Sequence, residues 1–217
     1  MVLGNNSICW FAPGGSWTES SVQGLPNGYN VKFISCYEKN MQNGTRYVVV
    51  LEDNSIWWFA PGGTWTKSTV EGLPNGYKIK SFSCYEKNMN NGTRYVVVLE
   101  DNSIWWFAPG GPWTKSTVEG LPNGYKIKHF QAYEKNMNNG TRYVVVLEDN
   151  SIWWFAPGGS WTKSTVEGLP PFGILHLSAY EKNMNNGTRY VVVLEDRTIW
   201  WFAPSTWTKS SLEGLKY

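Results

Sequence analysis

Cysteine and histidine are scarce: the 217-residue chain has three of the first and two of the second. Cys9 stands where other copies of an internal repeat carry Trp, and Cys36 and Cys84 stand where later copies carry Ala132 and Ala179. A disulfide framework would recur with the repeat and this one does not, so no disulfides are expected. Neither His129 nor His176 belongs to a cluster with metal-ligand spacing, so no metal or other cofactor is expected. Charge is also sparse, at 17% of residues, and the net charge is only +2. No stripe of Lys and Arg stands out, which argues against nucleic acid as a partner. The longest apolar runs, such as Tyr47 to Leu51, are far too short for membrane insertion. The N-terminus, Met1-Val2-Leu3-Gly4-Asn5-Asn6, has no basic segment followed by an apolar one. The expectation is therefore cytoplasmic synthesis without a signal peptide, with any release by a non-classical route. No stretch has a 3.6-residue apolar period over helical length.

Aromatic residues and repetition are abundant. There are fourteen Trp and twelve Tyr, and aromatics make up 16% of the chain. The phrase Arg-Tyr-Val-Val-Val-Leu-Glu-Asp begins at Arg46, Arg94, Arg142 and Arg189, in steps of 48, 48 and 47 residues. Trp-Trp-Phe-Ala-Pro begins at Trp57, Trp105, Trp153 and Trp200, with an earlier copy at Cys9-Trp10-Phe11-Ala12-Pro13. Trp17, Trp65, Trp113, Trp161 and Trp207 form a second five-fold series.

Each copy divides into four strand-like segments: Tyr77 to Glu86, Arg94 to Leu99, Ile104 to Ala108 and Trp113 to Val118. Their Val, Ile, Thr, Tyr and Trp suit a pleated surface. The breaks, Asn91-Gly92, Asp101-Asn102, Pro109-Gly110-Gly111 and Pro122-Asn123-Gly124, carry the residues that turns require. Four short strands per 40 to 50 residues is the pattern of a propeller blade. The second and third segments are apolar on both faces, as expected of strands packed between neighbouring sheets. The expected fold is an all-β, five-bladed β-propeller over residues 1–217, with copies at about 1–28, 29–76, 77–124, 125–171 and 172–217. The third and fourth segments occur five times, the first only four times, and the second four times plus a remnant at Val2-Leu3. The first blade is thus expected to be incomplete, with an edge through which a second copy of the chain could pair.

No catalytic constellation is visible. The pair Glu52-Asp53 recurs at Glu100-Asp101, Glu148-Asp149 and Glu195-Asp196, but adjacent strand residues point to opposite faces and the pair runs into a turn. The chain is not expected to be an enzyme. Repeated binding sites fit better: aromatic faces stack on sugar C–H groups, and amides and charges hold hydroxyls. Weak single sites gain strength in multiple copies. The expected partner is a glycan and the expected activity that of a multivalent lectin; the alternative is a protein-interaction or scaffold propeller. One candidate set is Trp57, Trp105, Trp153 and Trp200 with Trp17, Trp65, Trp113, Trp161 and Trp207. In the second series Trp17, Trp65, Trp113 and Trp161 follow a Pro-Gly-Gly turn and every member opens a polar segment, so the series is expected near a rim and is the preferred platform. The other set lies in the loop after the first segment: Glu38, Glu86, Glu134 and Glu181; Asn40, Asn88, Asn136 and Asn183; Arg46, Arg94, Arg142 and Arg189. The sequons at Asn43, Asn91, Asn139 and Asn186 read as turn chemistry.

The order Val48-Val49-Val50, Trp57-Trp58, Pro61-Gly62-Gly63, Trp65-Thr66 resembles the blades of the small fucose-binding propeller lectins of bacteria and fungi. Copy number and period are also similar to the five-bladed tachylectin, whose ligands are N-acetylated sugars. The resemblance implies a sugar-binding propeller. The fucose group holds its ligand with an Arg in the second strand and a Glu in the third, where this chain has Val48 and Trp58. Only the Trp opening the fourth segment, Trp65 and its counterparts, carries over, and the resemblance therefore leaves the sugar open.

Overall fold

The structure is a computed structural model. It describes residues 2–10, 15–38, 45–60, 62–87, 92–135, 140–156, 158–164, 168–181, 188–203 and 206–210. The chain divides into two compact units, Met1–Glu100 with Trp105–Lys115, and Asp101–Ile104 with Ser116–Tyr217.

Every regular element among the described residues is a strand. In the first unit, β1 (Cys9–Trp10) pairs with β2 (Thr18–Glu19). Two four-stranded antiparallel sheets follow. One runs β3 (Val31–Glu38), β4 (Thr45–Leu51), β5 (Ile56–Phe59), β6 (Thr66–Lys67). The next runs β7 (Ile79–Lys87), β8 (Gly92–Leu99), β9 (Ile104–Phe107), β10 (Thr114–Lys115). The second unit repeats the order twice: β11 (Ile127–Lys135), β12 (Gly140–Leu147), β13 (Ile152–Phe155), β14 (Thr162–Lys163); then β15 (Ile174–Glu181), β16 (Thr188–Leu194), β17 (Ile199–Ala203), β18 (Thr206–Lys209). These are the expected blades, the first having two strands among the described residues. Its Val2 remnant forms a single bridge to Ile8, the same register as Val50 opposite Ile56.

The double-sided apolar pattern has the packing it called for. Val48, Val50, Ile56 and Trp58 face forward and form one core with Ile79, Phe82, Tyr95, Val97 and Trp113 of the following sheet. The intervening Val49, Leu51 and Phe59 face backward and pack with Ile8 and Leu25 of the preceding one. Period-two alternation thus sends successive residues of one strand into two different cores. In the second unit, Val144, Val146 and Ile152 meet Ile174, Val192 and Leu194 in the same way. Each fully buried Val, Leu or Ile adds about 1.5–3 kcal/mol relative to exposure. Most of the stabilisation therefore lies between sheets, in the residues they interleave.

Polar contacts fix the spacing of neighbouring sheets. Asn54 adopts φ 64° and its Oδ1 accepts the Ile79 N–H at 2.9 Å, while the Tyr77 hydroxyl donates to the Asn54 carbonyl at 3.2 Å. Asn6 holds Val31, Asn102 holds Ile127 and Asn150 holds Ile174 by the same amide-to-backbone bond, at 3.2, 3.0 and 3.0 Å. The fifth position is Arg197, which keeps the left-handed conformation at φ 65° but has no side-chain carbonyl to accept such a bond. Register slips by one residue beside each of these anchors, between Ile79 and Ser81 and at the equivalent points of β3, β11 and β15. Such bulges bend and twist the long first strand.

Candidate functional site

The Trp that opens the fourth strand is a core residue, which corrects the expectation that it stands near a rim. Trp65, Trp113, Trp161 and Trp207 are 3, 2, 3 and 6% exposed. The preceding copy captures the chain as it enters the fourth strand. Trp113 N–H donates to the Glu71 carbonyl at 2.8 Å and its indole N–H donates to the Thr69 carbonyl at 3.0 Å. Trp65 is held by Gln23 and Ser21, and Trp161 by Glu119 and Thr117, through the same pair of bonds. The capturing segment passes so close that a Cβ on Gly72, at φ 93°, would lie 2.5 Å from the Trp113 carbonyl oxygen. Each indole also caps an aromatic stack, Tyr95 on Phe107 at 5.6 Å and Phe107 on Trp113 at 5.4 Å in the second full sheet. Burial on every side leaves these four rings no face for a ligand. Trp17, the first of the series, is instead 58% exposed.

The first Trp of each Trp-Trp pair is placed differently. Trp57, Trp105, Trp153 and Trp200 are half-buried. The indole N–H of Trp57 donates to Ser55 Oγ at 2.9 Å, and that hydroxyl donates to Asp53 Oδ1 at 2.6 Å. Asp53 Oδ1 also accepts the Ser55 backbone N–H at 2.8 Å. Trp57 pairs across the sheet with Lys67, whose Nζ stands 6.0 Å from the indole centroid. Two local geometries make the relay: Ser55 and Trp57 are two residues apart on extended chain and share a side, while Asp53 folds back onto Ser55 through an Asx turn whose central residue, Asn54, has φ 64°. The arrangement recurs at Asp149, Ser151, Trp153 and Lys163, where the two hydroxyl-borne bonds are 2.6 and 2.8 Å. It recurs again at Asp196, Thr198, Trp200 and Lys209, with bonds of 2.6 and 2.9 Å. The sequence repeats it once more at Asp101, Ser103, Trp105 and Lys115.

The Asp53, Asp149 and Asp196 carboxylates stay ionised. For Asp149 and Asp196 the hydrogen bonds from Ser151 and Thr198 lead in holding the carboxyl below its ordinary range, with help from Lys163 and Lys209. For Asp53, desolvation is the largest influence and opposes ionisation, but the bonds from Ser55 and the charge of Lys67 together outweigh it. Each cluster is therefore a carboxylate and an ammonium flanking an indole whose orientation is fixed by its own N–H.

The loop set lies elsewhere. Glu38, Glu86, Glu134 and Glu181 pair with Thr45, Thr93, Thr141 and Thr188 at the far ends of their hairpins. Arg46, Arg94, Arg142 and Arg189 lie opposite Tyr37, Tyr85, Tyr133 and Tyr180. Asn40, Asn88, Asn136 and Asn183 lie outside the described residues. Trp57 lies opposite Val49, three residues or about 10 Å along the strand from Arg46 and on the other face of the sheet, and the Asp53 turn lies some 15 Å or more beyond Arg46. They are separate surfaces. Asp53, Ser55 and Lys67 were not among the expected site residues, because Glu52-Asp53 reads locally as a turn. The signal that could have found them is the two-residue spacing Asp-x-Ser-x-Trp together with the fate of that pattern in the first copy.

No protein-family model and no curated protein matches the chain. Solved structures do. A lectin from Burkholderia pseudomallei superposes with a TM-score of 0.57 at 16% identity, over 93% of this chain and 61% of that one. The Aleuria aurantia lectin, in a fungal structure described as a six-bladed β-propeller with a fucose recognition mode, gives 0.51 at 15% identity over 82% and 62%. The fold is a β-propeller. Similarity also extends to BBS1N in its complex with ARL6DN, at a TM-score of 0.55 and 16% identity over 86% of this chain and 57% of that one. This propeller chain thus spans about three fifths of the length of those proteins.

Proposed function

We propose that the protein is a multivalent carbohydrate-binding protein, without catalysis, whose sugar platforms are Trp57, Trp105, Trp153 and Trp200. The observation that carries this reading is the repeated half-buried indole, pinned at its N–H and flanked by Asp and Lys. An aromatic face held still loses little freedom when a pyranose stacks on it, and the two charges stand ready for its hydroxyls. Near-equivalent copies suit weak sites acting together. The similarity to sugar-binding propellers supports the same class. A scaffold for a protein partner is the second reading, favoured by the BBS1N–ARL6DN complex. The copies here are nearly identical, whereas a single asymmetric partner would reward divergence among them.

A glycan array with free-sugar competition tests the proposal. Selective, competable binding that weakens in Lys67→Gln and Trp153→Leu is the expected result. A blank array from folded protein overturns it and turns attention to protein partners.

A further inference from the structure

The first copy departs from the others in a way that defines the site. Residues 2–28 align without gaps on residues 50–76 and differ at seven positions, two of which exchange Ser for Thr. Three of the other five fall within one cluster: Asn5 replaces Asp53, Cys9 replaces Trp57 and Glu19 replaces Lys67. All four later copies keep Asp, Trp and Lys at these positions.

Structural demand does not account for the exchange. Asn5 Oδ1 accepts the Ser7 N–H at 3.0 Å and the Ser7 hydroxyl at 2.8 Å, so the turn forms as well with an amide as with a carboxylate. Cys9 pairs with Glu19 in the register of Trp57 with Lys67. The residues on either side of Cys9 are retained, buried Ile8 for Ile56 and exposed Trp10 for Trp58. Trp17 is retained too, although it is 58% exposed where its counterparts are buried. Loss of covering therefore does not select for loss of Trp, and Cys9 needs another reason. Carboxylate, indole and ammonium are kept together or lost together, which is the behaviour of groups that serve one ligand.

We infer that the protein has four sugar sites, each made of an Asp, a Trp and a Lys, that its first copy is silent, and that the ligand is a neutral pyranose. The inference rests on the carbohydrate-binding reading above. Opposite charges on the two flanks select the ligand class. An acidic sugar would meet Asp53 as well as Lys67, and a cationic one the reverse, whereas a neutral polyol donates to the carboxylate and accepts from the ammonium.

The test counts ligands on the intact chain by native mass spectrometry at saturation. The probes are methyl glycosides of fucose, galactose, mannose and N-acetylglucosamine, with sialyllactose as the acidic comparator. For a binding neutral glycoside, four per chain is expected. Lys67→Gln should lower the count to three, and Asn5→Asp with Cys9→Trp and Glu19→Lys should raise it to five. Five in the parent chain, an unchanged count in the triple variant, or an array on which only acidic glycans bind overturns the inference while leaving sugar binding intact. An array on which nothing binds overturns both.

Discussion

Replacing Asn54 by alanine removes two things at once. The Ile79 N–H loses its acceptor, and Ile79 is 0% exposed, so water does not substitute. A buried donor left unsatisfied costs about 1–3 kcal/mol. Alanine must also hold φ near 64°, which costs a Cβ-bearing residue roughly 1–2 kcal/mol and asparagine less. The expected loss is about 2–4 kcal/mol, a sizeable share of the 5–15 kcal/mol that usually separates folded from unfolded chains. Glycine at the same position accepts the backbone angle but not the hydrogen bond, so Asn54→Gly should cost only about 1–3 kcal/mol. Urea unfolding followed by tryptophan fluorescence reads both, with the alanine variant's midpoint lower by roughly 1 M. Arg197 supplies the reciprocal case. It holds φ 65° without the amide, and Arg197→Gly should stabilise by up to about 1 kcal/mol. An Asn54→Ala loss below about 0.5 kcal/mol refutes the anchoring role, and equal losses for Ala and Gly refute the backbone share of it.

Two other outcomes follow from the geometry. Gly72→Ala places a methyl against the Trp113 backbone and should cost about 2–4 kcal/mol in the same unfolding assay, whereas Gly76→Ala, at φ 69° with open space around it, should cost only about 1–2 kcal/mol. Desolvation leads in lowering the His129 pKa, opposed by its bond to the Ile174 carbonyl and reinforced by Lys128 and His176. The unfolded chain therefore takes up that proton more readily than the native one. His129 contributes stability above the ordinary histidine pKa of about 6.5 that is lost as pH falls through the depressed native value. His129→Gln should flatten the stability profile between about pH 7 and pH 5, and an unchanged slope there refutes the assignment.

The sheets were legible because their chemistry is local or strictly periodic. Val48 to Leu51 is apolar at consecutive positions, which only a strand covered on both sides tolerates, and two cores receive it. The turns announced themselves through Asn, Pro and Gly. Trp65 was misplaced because its burial depends on Ser21 and Gln23, more than forty residues earlier, and nothing in the sequence around it records that capture. Asp53 was read correctly as a turn residue and incompletely as anything more. Its second role appears only when the relay to Ser55 and Trp57 is seen in space and Asn5 is found performing the first role alone.

The bonds between neighbouring sheets are directional. Each of the first three copies offers an asparagine and a Ser/Thr-x-Glu/Gln-Gly-Leu segment forward, and the next copy receives them on a strand start and a tryptophan. Such a head-to-tail junction is heterologous, with no built-in stop. A gene that gains or loses one repeat by unequal recombination would leave every remaining junction of this kind chemically unchanged. Steps of 48, 48 and 47 residues with little divergence are what such a gene would encode. The number of copies, and with it the number of the proposed sites, would then be open to change by recombination alone, without a single new contact having to be invented.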